Sequence, residues 1–181
     1  MRFTNTTLAD AILIEPKIFG DDRGFFMESW NAEAFSDAGL DLGFVQDNHS
    51  SSAAGVLRGL HYQKPCPQGK LVRVTRGAVY DVIVDLRKSS PTFGRYEGFR
   101  LDGSNHHMLW VPPGFAHGFL TLEDNTHFLY KCTAPYKPAH EHSLLWSDEE
   151  LAIEWPLGRT LPTVSAKDQA GVPLSDAPVF E

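Results

Sequence analysis

The stretch KLVRVTRGAVYDVIVDLRKSSPTFGRYEGFRL, residues 70–101, decides the fold. Residues 70–75 and 79–86 are short runs rich in Val, Ile and Leu, and Arg76 and Gly77 separate them. The cluster KSSP interrupts the pattern before a third run at 93–101. β-Branched and aromatic runs bounded by Gly, Pro and Ser predict strands joined by turns. The same rhythm predicts strands at 11–19, 44–50 and 56–63 before this stretch. It predicts four more at 107–111, 118–122, 127–133 and 143–146 after it. GDDRG, DGSN, PPG and EDN lie between these runs with the chemistry of turns. Helix is scarce. One candidate runs over 32–38 after Asn31 and stops at Gly39; another opens at Ser147 with Glu150 three residues on, in capping-box spacing. Neither is long enough to cover a sheet, so the strands must bury one another in an all-β sandwich or barrel. The last stretch, 164–181, reads as an irregular extended tail.

At 181 residues the chain is long enough for one core and short for two, and 42% hydrophobic residues exclude disorder. Sixteen Lys and Arg against 23 Asp and Glu leave a net charge of −7, which argues against nucleic acid or an anionic membrane as partner. Two cysteines, Cys66 and Cys132, are too few for a disulfide framework and fit a reducing cytoplasm. The opening MRFTNTTLADAILIEP has no uninterrupted apolar stretch before Asp10, so a signal peptide is not expected. No apolar run is long enough to span a bilayer.

Polar residues concentrate inside strand-like sequence at DDRGFFMESW, VQDNHSSS, VLRGLHYQ and GFAHGF. Arg58 and His61 are three apart, so strict alternation would send them to opposite faces. Gly59 lies between them, and a strand glycine often marks a bulge that resets the alternation. Both side chains are therefore expected in one cavity. A metal centre on these histidines is not expected. Gln63 stands where a two-residue spacing would put a second ligand beside His61, His106 and His107 are adjacent, and His140 and His142 flank Glu141 in a charged loop.

The strings FGDDRGFFMESW, FVQDNHSSS, GVLRGLHYQ, QGKLVRV, VYDVIVDLRKSSPTFG, PPGFAHGF, YKCTAPYKP and SAKD occur in this order. Together they resemble the dTDP-4-dehydrorhamnose 3,5-epimerase family over about residues 12–173. That resemblance implies a cupin-type jelly roll, the double-stranded β-helix, with a few short helices. It also implies a homodimer and catalysis with neither metal nor organic cofactor. The substrate it implies is dTDP-4-dehydro-6-deoxy-D-glucose, inverted at C3 and C5 to dTDP-4-dehydro-L-rhamnose on the route to dTDP-L-rhamnose. Inversion beside a ketone needs a base on one face of the ring, an acid on the other and a donor at the developing enolate oxygen.

By resemblance His61 is the base, Asp168 its orienting partner, Tyr130 the opposing acid and Lys70 the enolate stabiliser. Asp81, on the neighbouring candidate strand, is expected to orient Lys70. Arg58 and Arg23 are the expected diphosphate forks, and Tyr136 matches an aromatic that stacks on thymine. Glu28, Gln46, Asp47, Asn48, His117, Glu141 and Lys167 match substrate-contacting positions. The residues matching Arg23 and Glu28 reach the site from the partner subunit in the family. Phe26 is a candidate for apolar cover there, although Phe25 and Phe26 read equally well as core. Two other readings remain, a single-position epimerase on the same scaffold and a non-catalytic sugar-binding jelly roll; a metal-dependent cupin oxygenase is a third. The acidic chain is expected to gather Arg23, Arg58, Lys70 and Lys167 in one pocket and to spread its acidic excess elsewhere.

Overall fold

The computed structural model describes all 181 residues. Its elements begin with β1 (Arg2–Asn5), β2 (Ile12–Glu15), β3 (Ile18–Asp21), β4 (Gly24–Met27) and α1 (Ala32–Asp37). The central strands are β5 (Gln46–Ser52), β6 (Val56–Gln63), β7 (Lys70–Arg76), β8 (Ala78–Asp85) and β9 (Tyr96–Asp102). β10 (Met108–Val111), β11 (Phe115–Thr121), β12 (Thr126–Cys132), β13 (Glu141–Ser143), β14 (Thr163–Val164) and α2 (Ala166–Gln169) complete the chain. One sheet has the order β1-β2-β10-β7-β12-β5 and the second β13-β6-β11-β8-β9, with β14 alongside β6. From β6 onward most connections cross between the sheets, so consecutive strands mostly face each other. This is the expected jelly roll. No helix is long and apolar enough to cross a membrane.

Between the sheets, Val72, Val74 and Phe128 of the first meet Val79, Ile83, Phe115 and Phe119 of the second. The Phe119 and Phe128 rings stack with centroids 4.1 Å apart, an arrangement worth about 1 kcal/mol beyond the area it buries. The strands do bury one another, but the outer faces are covered too. Phe35 of α1 packs against Ile14, Leu71, Met108 and Trp110. Leu144, Leu151, Trp155 and Leu174 close the outer face of the second sheet over Leu57, Leu60, Val82 and Leu120. The C-terminal stretch is therefore a packed cover rather than a loose tail. Asp168 on α2 is buried, and the Lys64 ammonium donates to the Val179 carbonyl.

Other expectations shift for local reasons. The predicted strand 11–19 splits into β2 and β3 around Pro16, which has no N–H to give a ladder. β3 and β4 form a hairpin that pairs with neither sheet and leaves Phe19, Phe25 and Phe26 at least half exposed, so the phenylalanines are not core. The helix after Asn31 forms as expected, with Asn31 Oδ1 accepting from Ala34 N at 3.1 Å. The capping box at Ser147 makes no helix. Asp148 takes the N–H groups instead, from Glu150 at 2.7 Å and Leu151 at 3.0 Å, while its other oxygen accepts from Leu174 N at 2.6 Å.

The bulge in β6 is present. His117 opposes His61 and Phe119 opposes Arg58, so two steps on β11 span three on β6. Gly59 adopts φ +110°, which side-chain-bearing residues rarely enter. A Cβ on Gly118 would lie 2.6 Å from the Arg58 carbonyl oxygen, and one on Gly59 2.6 Å from Gly118 Cα. Gly118→Ala is expected to cost about 3 kcal/mol, a fall of about 6–12 °C in thermal midpoint, because backbone rather than a flexible side chain must yield. A variant melting with the wild type would contradict the close approach.

Candidate active site

A cavity of about 680 Å³ opens between the sheets, within the size range of small-molecule sites. The second sheet contributes Arg58, His61 and His117, and the first contributes Gln46, Asn48, Lys70 and Tyr130. β13 adds Glu141, the segment before the 3₁₀ turn Pro138–His140 adds Tyr136, and α2 adds Lys167 and Asp168. Arg58 and His61 do share the cavity, as the bulge predicts.

His61 Nε2 lies 2.5 Å from Asp168 Oδ1. An ionised carboxylate can only accept, so Nε2 is the donor, and in the neutral imidazole Nδ1 is the nitrogen with the lone pair. Asp168 is placed by the first turn of α2, where Ser165 caps and accepts from Asp168 N at 3.2 Å, and by Gly59 N, 3.4 Å from its Oδ2. Burial pushes its pKa up, but the bond and charge of His61, with the Gly59 and Ser165 contacts, hold it below the ordinary carboxylate value. Asp168 therefore stays ionised at neutral pH.

Lys70 is buried, and burial draws its pKa below the usual lysine range against the pull of Cys132, Asp81 and Glu141. Its ammonium donates to the His61 carbonyl at 3.3 Å, which puts the cation beside the histidine. Tyr130 faces inward from β12; burial pushes its phenol up to about 12, so it is a proton donor across the physiological range. His117 is held low by burial, with Asp81 opposing, and is neutral. Glu141 is pushed up by burial but pulled lower overall by Lys167 at 2.9 Å and the Tyr136 hydroxyl at 2.8 Å. Arg58 gives Nε and one Nη to Ser52 Oγ at 3.1 and 3.0 Å, which fixes its fork.

Two placements differ from expectation. Asp81 does not hydrogen-bond Lys70, although its charge acts on the lysine; it accepts from His117 Nε2 at 2.9 Å. Asp47 points to the outer face of β5 by alternation and pairs with Lys131 at 3.0 Å. Arg23 lies on the β3–β4 hairpin, paired with Asp21 and almost fully exposed, and Glu28 accepts from Asn31 Nδ2 at 2.9 Å. Neither lines this chain's cavity; the expectation for both is the partner's site. This chain's own share of the cavity sets three basic residues, Arg58, Lys70 and Lys167, against Asp168 and Glu141. His107, expected to open the strand 107–111, precedes β10, and Glu141 and His142 belong to β13 rather than a loop. Sequence reading passed over Gln68, Ser52 and Ser165. Ser165 had a legible signal, since SAKD has the spacing of a helix N-cap.

The model of the dTDP-4-dehydrorhamnose 3,5-epimerase family matches residues 5–176. A dTDP-4-dehydrorhamnose 3,5-epimerase of Pseudomonas aeruginosa is 54% identical over 181 residues, 99% of each chain. A dTDP-6-deoxy-D-glucose-3,5-epimerase from Legionella pneumophila, solved in complex with dTDP-4-keto-L-rhamnose, superposes with TM-score 0.94 at 48% identity. The match covers 98% of this chain and 94% of that one. A 3′-monoepimerase from Streptomyces bikiniensis, in complex with dTDP-quinovose, reaches TM-score 0.89 at 37% identity, covering 94% and 86% of the two chains. With the family model and a 54% identical relative both spanning nearly the whole chain, the chain belongs to the dTDP-4-dehydrorhamnose 3,5-epimerase family.

Proposed function

We propose that the protein is an isomerase that inverts C3 and C5 of dTDP-4-dehydro-6-deoxy-D-glucose, giving dTDP-4-dehydro-L-rhamnose. One observation carries the proposal: His61 and Tyr130 face the same cavity from different sheets, with Lys70 beside His61. A sugar ring between those walls meets a base on one face and an acid on the other. His61 Nδ1 takes the proton from the carbon next to the ketone, and the C–H electron pair moves into an enolate. The Lys70 ammonium donates to the enolate oxygen, and Asp168 stabilises the imidazolium that results. The Tyr130 hydroxyl delivers a proton to the opposite face as the enolate collapses back to the ketone. Once His61 has released its proton to solvent and Tyr130 has taken one up, the second flanking carbon follows the same cycle.

Arg58, with its fork set by Ser52, and Lys167 are the diphosphate donors of the proposal. Tyr136 stacks on thymine, and Gln46, Asn48, His117 and Glu141 contact the sugar nucleotide. Arg23 and Glu28 act on the partner's cavity in a homodimer. Two observations favour that arrangement: the β3–β4 hairpin pairs with neither sheet, and it exposes three phenylalanines.

In deuterated water, wild-type enzyme is expected to place label at both C3 and C5, and His61→Ala to reduce exchange at both at least 1,000-fold. Label at one carbon alone would make the protein a single-position epimerase, and persistent exchange in His61→Ala would remove His61 from the base role. The shared arm has its own test. Arg23→Ala and His61→Ala chains, each impaired alone, are expected to regain activity when refolded together, since a mixed dimer holds one site with every group intact. No recovery, with mixed dimers verified, would place Arg23 outside the partner's site.

A further inference from the structure

We infer that Gln63 is a positioning residue for the nucleobase: its buried amide sets the segment that carries Tyr136. The inference rests on the reading of Tyr136 as the aromatic that stacks on thymine. Gln63 is 2% exposed and does not line the cavity. Its Nε2 donates to the Cys66 carbonyl at 3.0 Å and the Pro135 carbonyl at 3.3 Å, and its Oε1 accepts from Lys137 N at 2.7 Å. One amide thus holds the backbone on both sides of Tyr136 and ties it to the turn after β6. The tyrosine has two further ties, Tyr136 N to Gln46 Oε1 at 2.8 Å and its hydroxyl to Glu141. The residue is still 47% exposed and lines the cavity, so it is anchored by its polar atoms while its side chain remains open to a ligand.

The segment between β12 and the 3₁₀ turn belongs to neither sheet, so no ladder fixes its backbone. Fixing it beforehand removes an ordering cost that the nucleotide would otherwise meet on binding. Few side chains can replace Gln63, because the position needs two donations and one acceptance at glutamine length. Leucine offers neither. Glutamate keeps the bond from Lys137 N but sets a carboxylate against two carbonyl oxygens.

The test compares Gln63→Leu with wild type by titration with dTDP and with inorganic pyrophosphate, and by steady-state turnover of the dTDP-sugar. Expected are a roughly tenfold weaker Kd for dTDP, an unchanged Kd for pyrophosphate, and a KM raised about tenfold with kcat within twofold. Tyr136→Ala is expected to weaken dTDP as well, and Gln63→Leu to add nothing in that background. Equal loss for dTDP and pyrophosphate, a fall in kcat at unchanged KM, or additive effects with Tyr136→Ala would overturn the inference. If Tyr136→Ala weakens dTDP and Gln63→Leu does not, the role of Gln63 alone fails; if Tyr136→Ala leaves dTDP affinity intact, the stacking reading fails. Should Gln63→Leu not fold, Gln63→Asn, which keeps the amide but shortens its reach, carries the same outcomes at smaller size.

Discussion

Two glycine backbones, Gly59 on β6 and Gly118 on β11, approach so closely that neither tolerates a Cβ, and the active site depends on that contact. It allows the extra residue in β6, and the extra residue returns His61 to the side that Arg58 occupies. The same distortion turns Gly59 N toward Asp168, so one irregularity aims the base and helps bind the carboxylate that orients it. A regular ladder here would keep the sheet and lose the site. Gly118 belongs to GFAHGF beside His117, which shows why a packing glycine and an apparent site histidine share a motif.

The second constraint is electrostatic. Lys70, His117, Asp81 and Asp168 are all buried, and each charge among them must be answered locally. Asp168 is answered by His61 and Gly59, and Asp81 by His117 at Oδ2 alone, its Oδ1 having no hydrogen-bond partner. Lys70 has only one carbonyl acceptor, at 3.3 Å. An ammonium so sparsely satisfied suits a group meant to meet an oxygen that becomes anionic during reaction, because its bonding capacity is not already spent. The net charge of −7 gave no sign of this, since the cavity lining mixes cations and carboxylates and the acidic excess lies elsewhere on the chain.

Much of this was legible in the sequence, for reasons that lie in particular residues. Alternation and turn chemistry predicted the strands, and Asn31 marked the start of α1. Gly59 between Arg58 and His61 predicted the bulge. Long-range features were not legible. Asp168 reads locally as a surface residue beside Lys167; only the arrival of α2 over β6 buries it. Asp148 overrode the capping box at Ser147 because its carboxylate also reaches Leu174, 26 residues away. The partner of Asp81 was not legible either, because His117 reaches it from β11, 36 residues on, and only the strand order of the sheet makes that contact. The motifs shared with the family supplied the roles that periodicity alone could not.

The central claim is that proton removal and proton delivery come from opposite walls of one cavity, His61 on the second sheet and Tyr130 on the first. Tyr130→Phe in deuterated water separates the two events most directly. If the walls divide the work, His61 still removes and returns a proton on its own face, so solvent exchange with retention continues while inverted product falls at least 100-fold. Inverted product forming at the wild-type rate would contradict the account, because the acid would then have to come from elsewhere.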